Sequence, residues 1–344
     1  MNVVRELQLQ ARFCEAMGSP FVAQFIRCAL QDYVSGTRLK DLLDRHATLH
    51  RPGLRLSGAF HYLALAGEPS LGAYFPSTGG NGGATSAWLA ASAFFEREPA
   101  LVERLFEANV QTNETLRSMP LLGAFLHVAA RYQFPLRTFE IGASAGLNSR
   151  FDRYGYRGSD WHWGDRNAPL VLHNRIVSGR PQHLNALVEV VERQACDMHP
   201  IDIGDAEAVR RLESFVWPDQ LDRLERLRAA IEIARRVPVV IEREHFKPWL
   251  SRVVRPASGH ATVVFQSIVE EHLDPEQRFG LHAAVDAVAR TATAAAPMAY
   301  VRMEQNGATY ETTVRTWPED DVVTICRSDG HAQDIEWAEP ESGG

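Results

Sequence analysis

The chain has 344 residues, of which 45% are hydrophobic and 23% are charged, as in an ordinary soluble globular protein. This length holds one large domain or two ordinary domains with a sizeable core. A formal net charge of −7 argues against general nucleic-acid binding, and no apolar run approaches the roughly 20 residues that cross a bilayer.

The compartment is indicated by the first residues and by the cysteines. The start of the chain is charged and amphipathic, unlike a signal peptide. The four cysteines lie far apart without a Cys-x-x-Cys pair, which is typical of reduced thiols. We therefore expect a cytoplasmic protein that acts on a small molecule and has neither nucleic acid nor a membrane as its partner.

Residues 1–130 are predicted to form an all-helical cap domain. Val4, Leu7, Ala11 and Cys14 repeat at helical spacing, and prolines divide the segment at intervals that suit short helices. His46 and His50 are four residues apart, but the His-Glu-x-x-His pattern of a zinc helix is absent, so no metal site is predicted.

The segment 138–148, with the sequence TFEIGASAGLN, is the most informative stretch. It predicts a strand, a tight turn at Gly142 and Gly146, and a helix from Leu147 to Tyr154. Glycines let backbone amides approach a ligand, and a helix start presents unpaired N–H groups. Glu140 is expected at the carboxyl end of the strand, where open α/β sheets bind ligands.

Two chemistries fit these residues. Read as Glu-x-Gly-x-x-x-Gly, the segment resembles the first motif of S-adenosylmethionine-dependent methyltransferases. Read as Gly-x-Ser-x-Gly, it matches a hydrolase elbow with Ser144 as nucleophile, for which Asp321 and His331 follow in the required order. The helical front leaves no strands to precede such an elbow, which favours the methyltransferase.

Further strands are predicted at intervals along the rest of the chain, and helical patterns separate them. The predicted strands are 187–191, 237–241, 261–265, 298–303 and 322–326. This alternation favours a Rossmann-like, doubly wound, mostly parallel α/β sheet over 131–335, followed by a frayed polar tail at 336–344.

A nucleotide-type cofactor needs an acidic residue after the second strand for its ribose hydroxyls. Asp197 is our choice, with Asp202 in reserve, although a turn-capping role for Asp197 is the alternative. Glu244 follows the next strand and is predicted to contact the adenine, or else to form a surface ion pair with Arg243 or Lys247. The remaining predicted cofactor contacts belong to the turn segment: Glu140, Gly142, Ser144, Gly146 and Asn148.

The methyl acceptor is expected after the fourth strand of the sheet. There Gln266 and Ser267 are candidates for orienting it, and Glu270 or His272 for removing a proton. The alternative for each is a solvated helix residue.

A dense polar segment, Gln111 to Arg117, lies between apolar helical stretches. Polar groups in such a setting need partners, and a ligand is one available partner. We predict that Glu114 is catalytic and that Gln111, Asn113 and Arg117 bind the substrate. The alternative is an exposed turn with a weak Glu–Arg ion pair.

Four motifs taken together resemble a bacterial family known as a domain of unknown function. They are QTNE at 111–114, EIGASAGLN at 140–148, DMHPID at 197–202 and VWPDQ at 216–220. The resemblance implies a helical front and a methyltransferase-like Rossmann core. The chain departs from the family pattern at Arg243 and Glu244, where Gly-Asp is expected, and at Gln266, where a histidine is expected.

These observations predict a methyltransferase that uses S-adenosyl-L-methionine to modify a small molecule. Methyl transfer needs alignment of the reactants and no built-in nucleophile, which suits this sequence. The alternatives are a serine hydrolase with Ser144 as nucleophile and a non-catalytic ligand-binding protein with the same fold.

Overall fold

The computed structural model describes residues 2–339, which divide into two compact units. Unit 1 contains the chain up to residue 112 together with residues 202–228. Unit 2 contains residues 113–201 and the chain from residue 229 onward. The sequence analysis placed the end of the cap at residue 130, whereas the structure assigns residues 113–130 to unit 2.

The α-helices of the described chain are numbered in sequence order. They are α1 (Val3–Ala16), α2 (Pro20–Val34), α3 (Arg38–Arg45), α4 (Pro52–Leu65), α5 (Pro69–Gly72), α6 (Gly83–Arg97), α7 (Pro99–Phe106), α8 (Ser118–Tyr132), α9 (Ala206–Ser214), α10 (Leu221–Arg236), α11 (Phe246–Val253) and α12 (Pro275–Ala289).

The strands are numbered in the same way. They are β1 (Leu136–Ile141), β2 (Gly155–Arg157), β3 (His162–Trp163), β4 (Val171–Leu172), β5 (Arg175–Ser178), β6 (Val190–Asp197), β7 (Val240–Arg243), β8 (Ala261–Ser267), β9 (Met298–Asn306), β10 (Thr309–Trp317), β11 (Asp321–Ser328) and β12 (Asp334–Trp337).

Unit 1 is helical, as the spacing of its apolar residues predicts. In α1 the buried positions include Leu7, Ala11 and Cys14, and the Asn2 side chain caps the helix by accepting from the amide of Arg5. Aromatic side chains fill the centre of the unit, where the Phe25 and Trp88 rings meet edge to face with centroids 5.1 Å apart.

Unit 2 is built on a nine-stranded sheet in the order β5-β12-β11-β10-β9-β8-β1-β6-β7. The strands β7, β6, β1, β8 and β9 are parallel to their neighbours. An antiparallel hairpin then joins β9 to β10 and extends the sheet. The prediction of an α/β protein with a mostly parallel sheet and a helical N-terminal region is confirmed.

Helices cover both faces of the parallel strands. On one face α11 and α12 pack on Phe139 and Val264 through Trp249, Leu281 and Val285. On the other face the Phe125 ring of α8 stacks on Phe151 with centroids 3.8 Å apart and meets Phe265 edge to face. Because both faces are covered, β8 and the first half of β9 contain the continuous buried runs TVVF and MAYV.

Some predicted boundaries and elements differ from the structure. The strand predicted at 187–191 runs from Val190 to Asp197, and the Thr-rich strand β10 and the strand β12 were not predicted. Residues 336 and 337 of the predicted tail belong to β12, where Trp337 is buried, and residues 340–344 lie outside the described chain.

The helix predicted from Leu147 to Tyr154 is wrong. The turn after β1 leads instead into a 3₁₀ helix at Asn148–Arg153, in which the backbone of Arg150 departs from helical angles. The Asn148 and Ser149 side chains form tertiary hydrogen bonds here, and such polar groups compete with regular helical structure. Over residues 2–339, no helix is long and apolar enough to cross a membrane.

Candidate functional site

The carboxyl ends of the parallel strands meet at one edge of the sheet in unit 2. In the strand register, Ile141 at the end of β1 lies between Cys196 of β6 and Gln266 of β8. The chain runs from β1 to β6 on one side and later returns to β8 on the other. The edge beside β1 is therefore a topological switch point, the usual position of a ligand crevice in open α/β sheets.

The turn after β1 adopts the left-handed backbone that its sequence suggests. The φ angles of Gly142, Ser144 and Gly146 are 66°, 54° and 65°. Five of its amides donate to protein acceptors: those of Gly142 and Ala143 to Cys196 O, that of Ser144 to Asp197, that of Gly146 to Ala143 O and that of Leu147 to Asn113. In this conformation those amides are therefore already engaged.

Asp197 lies where it was predicted, at the end of β6 beside the turn. Its Oδ2 accepts from the amide of Ser144 at 2.7 Å, and its Oδ1 accepts from the amide of His199 at 2.7 Å. Both carboxylate oxygens therefore hold loops of the protein itself. The capping role that the sequence analysis kept as an alternative is the one that this geometry shows.

The two glycines of the turn are in close contact with neighbouring side chains. A Cβ atom at Gly142 would lie 2.6 Å from Cγ2 of Val269, and one at Gly146 would lie 2.8 Å from Nη1 of Arg150. The space beside Gly142, which the motif reserves for a ligand, is thus occupied by Val269. The Arg150 guanidinium in turn donates to the carbonyls of Ala145 and Gly146.

Glu140 is buried and belongs to the face that carries the 3₁₀ helix. Its Oε2 accepts from the hydroxyl of Ser149. Burial raises the pKa of Glu140 to about 7, an effect that the hydrogen bond from Ser149 and the charge of Arg150 oppose.

The polar segment predicted at 111–117 divides between the units. Gln111 belongs to unit 1, whereas Asn113, Glu114 and Arg117 belong to unit 2. The Asn113 Oδ1 accepts from the amide of Leu147 at 3.0 Å, which places it against the turn. Glu114 is buried and caps a 3₁₀ helix at Leu116, and the Arg117 Nε donates to Gly330 O at 3.0 Å.

Asn148 joins the turn to the start of α8. It is buried, and its Oδ1 accepts from the hydroxyl of Ser118 at 2.7 Å. Thr112 of the segment is exposed, whereas Glu114 is buried and Asn113 and Arg117 are half-buried. The latter three side chains find partners in the protein, which satisfies the requirement that motivated the substrate-binding prediction.

Gln266 is fully buried near the end of β8 and is the centre of a polar cluster. Its Nε2 donates to Glu304 at 2.8 Å and to Glu270 at 3.2 Å, and its Oε1 accepts from the hydroxyl of Tyr300 at 2.8 Å. All the polar atoms of its amide have protein partners. The predicted role of orienting a methyl acceptor is not the role that Gln266 has in this geometry.

Glu270 and His272 occupy different environments after β8. Glu270 accepts from Arg302 at 2.7 Å and lies 3.3 Å from Nε2 of His282, so its carboxylate is held in an ion-pair network. His272 is exposed and lies 3.4 Å from Glu271. Ser267 is half-buried at the end of β8, beside Met303 of β9.

Glu244 lies at the same edge but is engaged on the surface. Its amide donates to Asp197 O at 3.2 Å, and its carboxylate pairs with Arg252. Arg252 also pairs with Glu242. The alternative of an ion pair therefore describes this residue, but its partner is Arg252 and not the expected Arg243 or Lys247.

The proposed hydrolase triad is not assembled. Asp321 begins β11 and pairs with Thr316 of β10, which places it at the edge where the parallel strands begin, opposite the turn. Its carboxylate pairs with Arg131. Ser144 is buried, and among residues 2–339 no group forms a hydrogen bond with its Oγ, so no base activates it.

A cleft of about 1340 Å³ lies at that opposite edge of the sheet in unit 2. It is lined by the end of α8, by the loop 178–187 and by the end of β12. None of the predicted site residues is among its lining residues. Its size makes it a candidate ligand cleft.

One group of possible metal ligands is present among the described residues of unit 1. The ligand atoms of His46, Glu103 and Glu107 lie within 4.8 Å of one another. His46 Nε2 is 2.8 Å from Glu103, to which Arg45 also donates at 2.9 Å. An ion-pair cluster with an arginine explains these contacts without a metal.

Sequence reasoning missed Val269 and Glu304. Glu304 is buried on β9 in the stretch MAYVRMEQN, where alternation places Arg302 and Glu304 on the same face as buried Met298 and Tyr300. Charged residues on an otherwise apolar strand face were the available signal. For Val269 the sequence carries no such signal.

We predict that Gly142→Ala destabilises unit 2 more than Gly307→Ala. Both glycines have φ near 65°, but a Cβ at Gly307 meets nothing within 4 Å, whereas one at Gly142 meets Val269. The left-handed backbone costs roughly 1–2 kcal/mol in both variants, and overpacking adds roughly 1–3 kcal/mol at Gly142. Urea denaturation measures the difference, and equal losses would contradict the contact. Truncation of Val269 to alanine should recover part of the loss.

We predict that Glu140 makes the protein less stable as the pH rises. Its folded-state pKa lies near 7, above the ordinary 4.5, so the folded state favours the neutral acid and stability falls between these values. The loss is at most about 3 kcal/mol. Between pH 5 and pH 8, the free energy of unfolding measured with urea should change less in Glu140→Gln than in the parent. Glu276 is an exposed carboxylate on α12, and Glu276→Gln should show the same change of unfolding free energy with pH as the parent.

We predict that a fluorophosphonate probe leaves Ser144 unmodified. The Ser144 hydroxyl has no activating base among the described residues, and Asp321 lies at the other edge of the sheet. Peptide mass spectrometry after probe treatment measures this directly. A covalent adduct on Ser144 would restore the hydrolase hypothesis with a different set of partners.

Comparison with known proteins identifies a family. No curated protein matches the chain. A family model described as an uncharacterized protein conserved in bacteria (DUF2332) matches residues 4–337, so the chain belongs to that family.

Proposed function

We propose that this protein is an S-adenosylmethionine-dependent methyltransferase that acts on a small molecule. The observation that carries the proposal is the order β7-β6-β1-β8-β9 of its parallel strands. Numbered along the chain, this is the order 3-2-1-4-5 of the doubly wound nucleotide-binding sheet. The glycine turn follows the first of these strands, and Asp197 follows the second.

The residues at this edge fit the cofactor in part. Ser144 is only 7% exposed, and within residues 2–339 its Oγ has no hydrogen-bond partner, which supports a ligand as the missing partner. Val269, however, fills the space beside Gly142, so binding requires this side chain to move. When bound, the cofactor supplies a methyl group on a sulfonium, and the protein has to orient the acceptor and exclude water.

The residues of the chain have defined tasks in this proposal. The Ser144 hydroxyl donates to the ligand from the centre of the turn. Asp197 keeps the turn in place by accepting from the amide of Ser144. Asn113 fixes the far end of the turn through Leu147.

A second candidate is a protein that binds a ligand at this edge without catalysis. The observation that favours it is that five amides of the turn and both oxygens of Asp197 already have protein partners. A catalytic nucleotide site more often presents such amides to its ligand. Turnover, rather than binding, separates the two candidates.

We predict that the protein binds S-adenosylhomocysteine and that Ser144→Ala weakens this binding at least tenfold, about 1.4 kcal/mol. Because the Ser144 hydroxyl is buried and has no partner among the described residues, its removal should not lower the stability and should raise it slightly. Titration calorimetry measures the affinity, and thermal unfolding measures the stability.

Ser328→Ala is the matched control for that experiment. Ser328 is also 7% exposed with a hydroxyl that lacks a partner over residues 2–339, but it lies at the end of β11, away from the turn. It should bind like the parent. An absence of binding by every form of the protein would overturn the proposed function. Equal affinities of the parent and the Ser144 variant would remove Ser144 from the site.

A further inference from the structure

The loop after β8 has an uncommon backbone conformation. Ile268 follows the last residue of the strand with a φ of 57°. Left-handed angles are genuine outliers for β-branched residues and persist only where the surroundings hold them. Here the amide of Ile268 donates to Met303 O at 2.8 Å, which anchors the start of the loop on β9.

The buried carboxylate of Glu304 holds the next two residues of the loop. Its Oε1 accepts from the amide of Val269 at 2.9 Å, and its Oε2 accepts from the amide of Glu270 at 3.2 Å. Gln266 donates to the same Oε1 at 2.8 Å. Three donors from β8 and its loop therefore converge on one side chain of β9.

The loop places Val269 on the turn after β1. The distance from an ideal Cβ at Gly142 to Cγ2 of Val269 is 2.6 Å, so only a glycine permits this approach. These two residues lie on opposite sides of the switch point, one after β1 and the other after β8. A ligand that enters the crevice between the two strands must displace Val269.

We infer that Val269 and Glu270 form a latch over the Gly142 turn, that Glu304 is the positioning residue that keeps the latch closed, and that ligand binding requires its release. The inference rests on the proposed function in one respect, namely that the ligand enters at this edge. The closed geometry itself depends only on contacts within unit 2.

The latch is sensitive to the protonation of Glu304. Burial raises the pKa of Glu304 to about 7, and the nearby charge of Glu270 acts in the same direction. A proton on Oε2 would face the amide of Glu270 and remove that hydrogen bond. The latch therefore opens more often as the pH falls below 7.

Other ionisable groups surround Glu304 on each neighbouring element. Glu270 lies in the loop and pairs with Arg302 of β9 at 2.7 Å. His282 of α12 lies 3.3 Å from Glu270, and Glu311 of β10 stands opposite Glu304 in the strand register. Because several charged and ionisable groups face Glu304, a variant of Glu304 itself is needed to assign the effect to this residue.

Hydrogen–deuterium exchange of the peptide 268–273 tests the latch without any ligand. In Glu304→Gln the amide nitrogen of the new side chain cannot accept from a backbone N–H, so exchange at pH 8 should be at least tenfold faster than in the parent. The parent should approach the variant at pH 6 after correction for intrinsic rates. Glu276→Gln is the control and should exchange like the parent.

Val269→Ala is the second variant, because it truncates a half-buried side chain and keeps Glu304 in place. We expect it to bind S-adenosylhomocysteine at least tenfold more tightly than the parent and to exchange faster over the same peptide. Val322→Ala, at a 62% exposed position on β11, is its control and should bind like the parent.

The two readouts separate the latch from the proposed function. Faster exchange in both variants without binding of S-adenosylhomocysteine to any form would support the latch and overturn the methyltransferase. Binding by the parent with unchanged affinity in Val269→Ala, or parent-like exchange in a folded Glu304→Gln, would overturn the latch.

Discussion

The requirement that buried backbone amides find acceptors governs the edge of the sheet beside β1. A helix that began directly after β1 would leave its first N–H groups without an intrahelical acceptor. The chain here turns instead through left-handed residues into a 3₁₀ helix. Its amides are satisfied instead by Cys196 O, by Asp197 and by Asn113. The positions of β6 and of the segment before α8 are thereby tied to the turn.

The same edge buries two carboxyl groups with raised pKa values. Glu140 lies on the face of the 3₁₀ helix and accepts from Ser149, while Glu304 lies on β9 and accepts from the loop after β8. Burial opposes the charged form of each, and the hydrogen bonds that each accepts oppose that effect. Buried carboxyl groups with raised pKa values are frequent at functional sites, and structural hydrogen-bond networks contain them too.

The sequence predicts the centre of the parallel sheet because β8 and β9 contain buried apolar runs and helical patterns separate the strands. It does not predict the Thr-rich strand β10, whose pairing depends on a hairpin with β9. At the site it places Asp197 and the glycines correctly. It cannot show the contact of Val269 with Gly142, or the bond from Val269 to Glu304 across 35 residues, because these depend on tertiary geometry.

The polar groups of the turn cannot bond to protein partners and be available to a ligand at the same time. In the closed form, the glycine at position 142 leaves room for the Val269 side chain, and Asp197 accepts a hydrogen bond from the amide of Ser144. The hydroxyl of Ser144 stands apart, since no group of residues 2–339 accepts from it or donates to it. Because an unpaired buried hydroxyl destabilises the closed form, a ligand that pairs with it gains affinity that offsets part of the displacement of Val269. Displacement of Val269 and binding of a ligand by the Ser144 hydroxyl thus both take place at the turn that contains Gly142 and Ser144.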